Sequence, residues 1–196
     1  MFKKMSRLNA AGRASAITAG SSKTFNLVIS ALMVAVIAVL SQVAIPMPSG
    51  VPVTLQTFAV ALCAYFLETR YSLLTVIVYI LLGLVGVPVF ANFGAGPGKL
   101  LGLTGGFIFG FILFAVLCSV SMKFKNVPLR IALGLAGLMA CHFCGVLQFM
   151  FLSGNPFTTT FLMVSAPFLV KDVISVVLAY VLADRILPVL NKIKQR

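Results

Sequence analysis

Six apolar runs, at about 24–46, 55–69, 71–91, 100–122, 128–152 and 166–188, follow one another with only short polar interruptions. About 20 consecutive apolar residues cross the ~30 Å hydrocarbon core of a bilayer as a helix. The pattern therefore predicts an all-α integral membrane protein with six transmembrane helices, the second short and the sixth opening near a proline. The interruptions alternate in character. Those after the second and fourth runs carry charge, whereas 46–57, 91–106 and 153–161 are polar, rich in proline or glycine and almost uncharged. The chain divides into a basic tail (1–23), a six-helix membrane domain (24–190) and a second basic tail (191–196).

Composition sharpens this picture. Only 9% of residues are charged and mean hydropathy is +1.13, whereas soluble domains carry about a quarter charged residues. The net charge of +12 would suggest nucleic acid in a soluble protein. Its distribution argues otherwise. Lys3, Lys4, Arg7, Arg13, Lys23, Arg70, Lys123, Lys125, Arg130, Arg185, Lys192, Lys194 and Arg196 all fall on one side of the predicted spans. Lys99 lies on the other side and Lys171 near the start of the sixth span. Cytoplasmic loops collect Lys and Arg, so both termini are expected inside, and nucleic acid is not expected as a partner. The basic N-terminus resembles the start of a signal peptide, but the run behind it is too long and ends in no small-residue cleavage site, so it reads as an uncleaved span.

The three uncharged connections then share the outer side. Non-helical backbone at membrane depth survives only where protein buries it or a wet cavity satisfies it, so they are expected to form the walls and lid of one site for a small polar solute. Gly102, Gly106 and Gly110 recur every four residues and predict a small face on the fourth span. At its outer end Gly105 and Gly106 suit close approach either of a helix or of a ligand. Ala31, Ala35 and Ala38 give the first span a similar face, open to packing inside the bundle or to a helix of another protein. The sixth span opens with Ser165, a possible cap, and Pro167 in its first turn. Lys171 and Asp172 follow, one turn in. Ionisable groups there usually face a cavity or a partner, and a helix N-terminus favours an anion. Lys171, with Ser175 four residues on, suits a carboxylate; the alternative is a snorkelling lysine beside a structural aspartate.

Other features weigh less. Cys141-His142-Phe143-Cys144 has dithiol spacing, but Cys63 and Cys118 show cysteine serving as a small buried residue, and with one His in the chain a metal site lacks further ligands. Gln148 reads as interhelical glue, and Lys99 as a loop charge or secondary anion contact. No enzyme constellation is present, and GAGPGKLLG (94–102) lacks the ending of a nucleotide-binding loop. Active transport would need an external motor.

PVTLQTFAV (52–60), LGLVGVPVFAN (82–92), LGLTGGFIFGF (101–111) and PFLVKD…VLA (167–179) are similar, in order and spacing, to the BioY family. BioY is the biotin-specific S component of energy-coupling factor (ECF) transporters. The resemblance implies the S-component fold, a multi-pass protein of a bacterial cell membrane, and an outward-facing biotin pocket. It also implies assembly with a transmembrane T component and two cytosolic ATPases, so no cofactor is expected on this chain and ATP is used only by the partner subunits. Ala31 and Ala35 match the small-residue patch by which S components dock on the T component. Gln56 and Thr57 match the family's first-loop motif, Phe90 and Asn92 the second, and Gly105 and Gly106 the third. Asp172 matches the acidic residue of the last helix. The lysine three positions beyond it in the family is Ser175 here, and Lys171 is expected to take over its role.

The implied roles follow the chemistry of biotin. Gln56, Thr57 and Asn92 would pair the ureido group, Phe90 would cover the rings, and Lys171 would hold the carboxylate. The basic tail would face anionic membrane lipids. The alternatives are transport without the ATPase module, an S component for another carboxylated vitamin or biotin precursor, and an intramembrane thiol redox protein using Cys141 and Cys144.

Overall fold

In a computed structural model, residues 23–194 are described, with side chains as far as Pro188. The N-terminal tail apart from Lys23, and residues 195–196 of the C-terminal tail, lie outside them. Helix α1 (Lys23–Ser41) leads into a small antiparallel hairpin, β1 (Ala44–Ile45) and β2 (Val53–Thr54), with Ala44 opposite Thr54 and Ile45 opposite Val53. Helices α2 (Gln56–Phe66) and α3 (Thr69–Leu84), a 3₁₀ turn (Ala91–Phe93) and the short α4 (Pro97–Leu101) come next. Helices α5 (Gly105–Ser121), α6 (Val127–Ser153), α7 (Phe157–Val164) and α8 (Ala166–Lys194) complete the chain.

The first apolar run ends as a helix at Ser41, several residues earlier than the hydrophobic pattern suggests. Pro46, Pro48 and Pro52 cannot continue a helix, and Gly50 turns the chain with φ at 79°. Helix α3 likewise stops at Leu84. Gly86 (φ 105°) closes it by bonding back to the Gly83 carbonyl, while the Val87 amide reaches Leu82. This paired closure satisfies carbonyls that would otherwise lack donors. Residues 100–104, expected within the fourth span, belong instead to α4 and the bend after it. Gly102 therefore lies outside α5 and does not share a helical face with Gly106 and Gly110.

Helix α2 occupies the middle of the bundle. Ala59, Val60, Ala61, Cys63 and Ala64 are completely buried, and a helix apolar all round belongs in such a position. It packs against α3, α5 and α8. Helices α5 and α6 lie unusually close. A Cβ at Gly106 would fall onto the Cys144 carbonyl, and one at Gly110 would press on the Cys141 backbone.

Among the described residues three helices, Lys23–Ser41, Val127–Ser153 and Ala166–Pro188, are long and apolar enough to cross a membrane, and α2, α3 and α5 are shorter apolar helices. The outside of the bundle is greasy, with Val39, Leu81, Phe143, Val170 and Leu178 all exposed. Lipid is the solvent such a surface fits. The chain is a multi-pass membrane protein.

Candidate functional site

One end of the bundle carries the hairpin, the 87–96 segment, α4 and α7. Beneath them lies a cavity walled by Phe90, Phe107, Ile108, Phe111, Leu138 and Phe168, with Gln56, Thr57, Lys99, His142, Lys171 and Asp172 supplying polar groups. An apolar wall with a few placed polar groups is the common design of a small-molecule site.

The charged side of the cavity is built by α6 and α8. Asp172 is 3% exposed, and a carboxylate so buried must be matched by hydrogen-bonded partners. Two are present. The Lys171 ammonium forms an ion pair with one carboxylate oxygen, and His142 Nε2 lies 3.2 Å from the other. Each is held in turn: Lys171 Nζ donates to the Thr54 carbonyl of β2 at 2.8 Å, and His142 Nδ1 sits 2.9 Å from Ser165 Oγ. The hydroxyl of Ser165 thus serves His142 rather than capping α8. The Phe107 ring stands edge-on to the imidazole at 5.8 Å. The result is a continuous polar line, Ser165–His142–Asp172–Lys171–Thr54, across α6, α8 and the hairpin.

The opposite side is neutral. Gln56 opens α2, and its Nε2 donates to the Tyr79 hydroxyl at 2.6 Å. That hydroxyl donates to the Val89 carbonyl at 3.0 Å, which the Ser41 hydroxyl also reaches. Thr57, buried, follows Gln56 on the same wall. Phe90 is 1% exposed and packs edge-on to Tyr79 with centroids 5.5 Å apart. A paired backbone bridge from Phe90 to Gly94 holds it there, and Gly83 leaves room for its ring.

The structure gathers Gln56, Thr57, Phe90, Lys171 and Asp172 around one cavity. Asn92, Gly105, Gly106 and Ser175 are not among its lining residues. Asn92 is exposed at the tip of the tight turn, with φ at 56°. Asparagine tolerates that left-handed backbone better than most residues, which gives it a conformational reason to be there. Gly105 and Gly106 are spent on packing: a Cβ at Gly105 would meet the Leu100 carbonyl and Gln148, and one at Gly106 would meet α6. Gln148 binds the Leu100 and Gly102 carbonyls at 2.8 and 2.7 Å, pinning the glycine-rich bend to α6. Ser175 is buried one turn beyond Lys171, away from the cavity wall. Lys99 lines the rim, exposed to solvent.

In the sequence His142 reads only as a candidate metal or redox residue beside Cys141 and Cys144. Its role beside Asp172 comes from packing between α6 and α8, thirty residues apart in the chain. The one available signal was that an ionisable group inside a span seeks a partner. Cys141 and Cys144 are free thiols, and the Cys141 thiol faces the Phe107 carbonyl at 3.4 Å. On α1, Ala31 and Ala35 are exposed, so neither serves packing within the described bundle.

The family model for BioY matches residues 11–192. Biotin transporter BioY2 of Lactococcus lactis subsp. cremoris is 35% identical over 161 residues, covering 81% of this chain and 87% of the relative. Biotin transporter BioY of Thermotoga maritima is 43% identical over 121 residues, covering 61% and 71% respectively. A crystal structure of the S-component for biotin from an ECF-type ABC transporter superposes with a TM-score of 0.77 at 25% identity, covering 84% of this chain and 91% of that one.

Proposed function

The chain belongs to the BioY family, and from that premise we propose that it is a biotin-binding S component. It captures the vitamin in the cavity beneath the hairpin and delivers it inward as part of an ATP-driven importer. It is a transport subunit and does not itself catalyse a reaction. The observation that carries the reading is the polarity of the cavity. A cation, Lys171, stands at one side, a neutral amide and hydroxyl at the other, and aromatic walls lie between.

Biotin has matching parts: a carboxylate, a fused ureido ring, and a thioether and alkyl chain that gain by leaving water. The Lys171 ammonium has three donors. Two are engaged by Asp172 and Thr54, and the third is available to a ligand carboxylate. Gln56 and Thr57 offer groups for the ureido edge, with Phe90 and Phe107 against the rings. Asn92, Gly105, Gly106 and Ser175 act indirectly in this reading, shaping the turn, the α5–α6 contact and the helix behind Lys171.

The topology that fits is six spans with both termini cytoplasmic, which puts Arg70, Lys123, Lys125 and Arg130 inside and the cavity outside. Membrane lipids cover the apolar flanks, and the inner basic residues meet anionic headgroups. A transmembrane T component and two ATPases complete the importer, with the exposed Ala31 and Ala35 on α1 as the docking stripe.

Binding titrations of purified protein test the reading. Biotin should outcompete dethiobiotin and pimelate. Lys171→Ala should weaken biotin by about 10- to 100-fold, the worth of a charge-assisted hydrogen bond, and an uncharged biotin amide much less. Preference for pimelate would redirect the site to a precursor, and equal losses for acid and amide would remove Lys171 from the anion role.

A further inference from the structure

The polar line at the cavity has a charge balance that a bound acid would upset. Asp172 and Lys171 cancel one another, and the imidazole of His142 is a further ionisable group, in direct contact with Asp172. A ligand carboxylate placed against Lys171 leaves one net negative charge among apolar walls. Such a charge is costly unless something compensates it. The titratable and charged groups that share the cavity with His142 are Asp172 and Lys171 from α8, Lys99 at the rim from α4, and Cys141 on its own helix. Helix α5 presents the Phe107 ring, and α2 and the hairpin present only the uncharged Gln56, Thr57 and Thr54. Lys99 is exposed, so water screens its charge.

His142 is built to accept a proton without moving. An ionised Asp172 can only accept, so Nε2 carries hydrogen and donates to it. Nδ1 faces the Ser165 hydroxyl at 2.9 Å. A hydroxyl has one donor and two acceptor sites. It donates to Nδ1 of the neutral ring, and rotation of its hydrogen lets it accept from a protonated Nδ1. No heavy atom shifts between the two states. Histidine is also the side chain whose charge ordinarily changes near neutral pH.

We propose that capture of a ligand carboxylate beside Lys171 draws one proton from solvent onto Nδ1 of His142, so that an organic acid enters the cavity as anion plus proton. The inference rests on the reading of this cavity as the biotin site. It makes His142 a positioning residue that sets the pH range of capture.

Titration calorimetry of the purified full-length protein with biotin, in buffers of different ionisation heat, counts the protons. The expected result is uptake approaching one proton per biotin above neutral pH, with Kd rising there by up to about tenfold per pH unit. Biotin's own carboxylate is ionised throughout that range, so the slope belongs to the protein. Biotin amide should bind with no proton uptake. His142→Gln should bind biotin more weakly than wild type at pH 6, with an affinity flat across the range. Ser165→Ala keeps the ring but removes the acceptor for its new N–H, and should move the fall in affinity to lower pH. Biotin binding by the wild type without proton exchange would overturn the inference and leave the biotin site standing. So would undiminished uptake in His142→Gln, which would assign the proton to a group other than the imidazole. Failure of the wild type to bind biotin at all would overturn both readings.

Discussion

At the cavity end, Asp172 is enclosed by Lys171 and His142, with 5% of its side chain reaching solvent; at the other end Arg130 meets Asp184 at 3.6 Å, with 55% of that carboxylate exposed. Both sets join α6 to α8, so helix pairing alone does not distinguish them. What differs is the alternative open to each charge. Asp184 without Arg130 would still be hydrated, and Arg130 would keep its bonds to the Phe124 carbonyl and the Tyr180 hydroxyl at 2.7 and 3.3 Å. Asp172 has no such fallback. The charges of one end are individually dispensable, and those of the other depend on each other.

The sharpest way to break this comparison is Asp172→Ala, which strands Lys171 and His142 in a site built for a carboxylate. Removing one partner of a buried pair typically costs about 3–5 kcal/mol. Chemical or thermal unfolding in detergent should show a loss of that size together with loss of biotin binding. A smaller effect would mean that the cavity end is as well hydrated as the other. Next comes Gly106→Leu, which tests whether the cavity end depends on close packing beneath it. The new side chain cannot fit against the Cys144 carbonyl, and overpacking typically costs about 1–3 kcal/mol. Unfolding midpoints would register it. Gln148→Leu should follow, at about 1–2 kcal/mol, because two carbonyls of the glycine-rich bend lose their donor. Faster amide exchange in residues 100–104 is its expected signature. The smallest change belongs to the other end. Asp184→Asn should stay within about 0.5 kcal/mol, as exposed pairs usually do, and should leave biotin affinity unaltered. A large loss there would erase the distinction.

Run length and charge alternation made the helices legible in advance, and Lys171 and Asp172 announced themselves as ionisable residues inside an apolar run. What stayed hidden depends on contacts distant in sequence. Two-residue strands carry no periodicity, so the pairing of Ala44–Ile45 with Val53–Thr54 could not be read, although the intervening prolines and Gly50 marked a break. Helices α4 and α7 span five and eight residues, too short for a hydrophobic pattern to separate from loop. Gly105 and Gly106 look the same in sequence whether a ligand or a helix lies against them, and here α6 does. Asn92 belonged to a motif placed at the site, while its backbone angle turns its position into the outer tip of a turn. His142 is the least legible of all in sequence, because its meaning lies in Asp172, on another helix.

The Val89 carbonyl is shared by the Tyr79 hydroxyl, which holds Gln56, and by Ser41 in the last turn of α1. Distance from the cavity is therefore a poor guide to which residues tolerate exchange. Ser41 lies outside the lining, yet losing its hydroxyl would loosen the strap that aims Gln56, an amide side chain of the cavity wall. A substitution map of this protein should show an isolated intolerant position there, at the seam between the first helix and the rest.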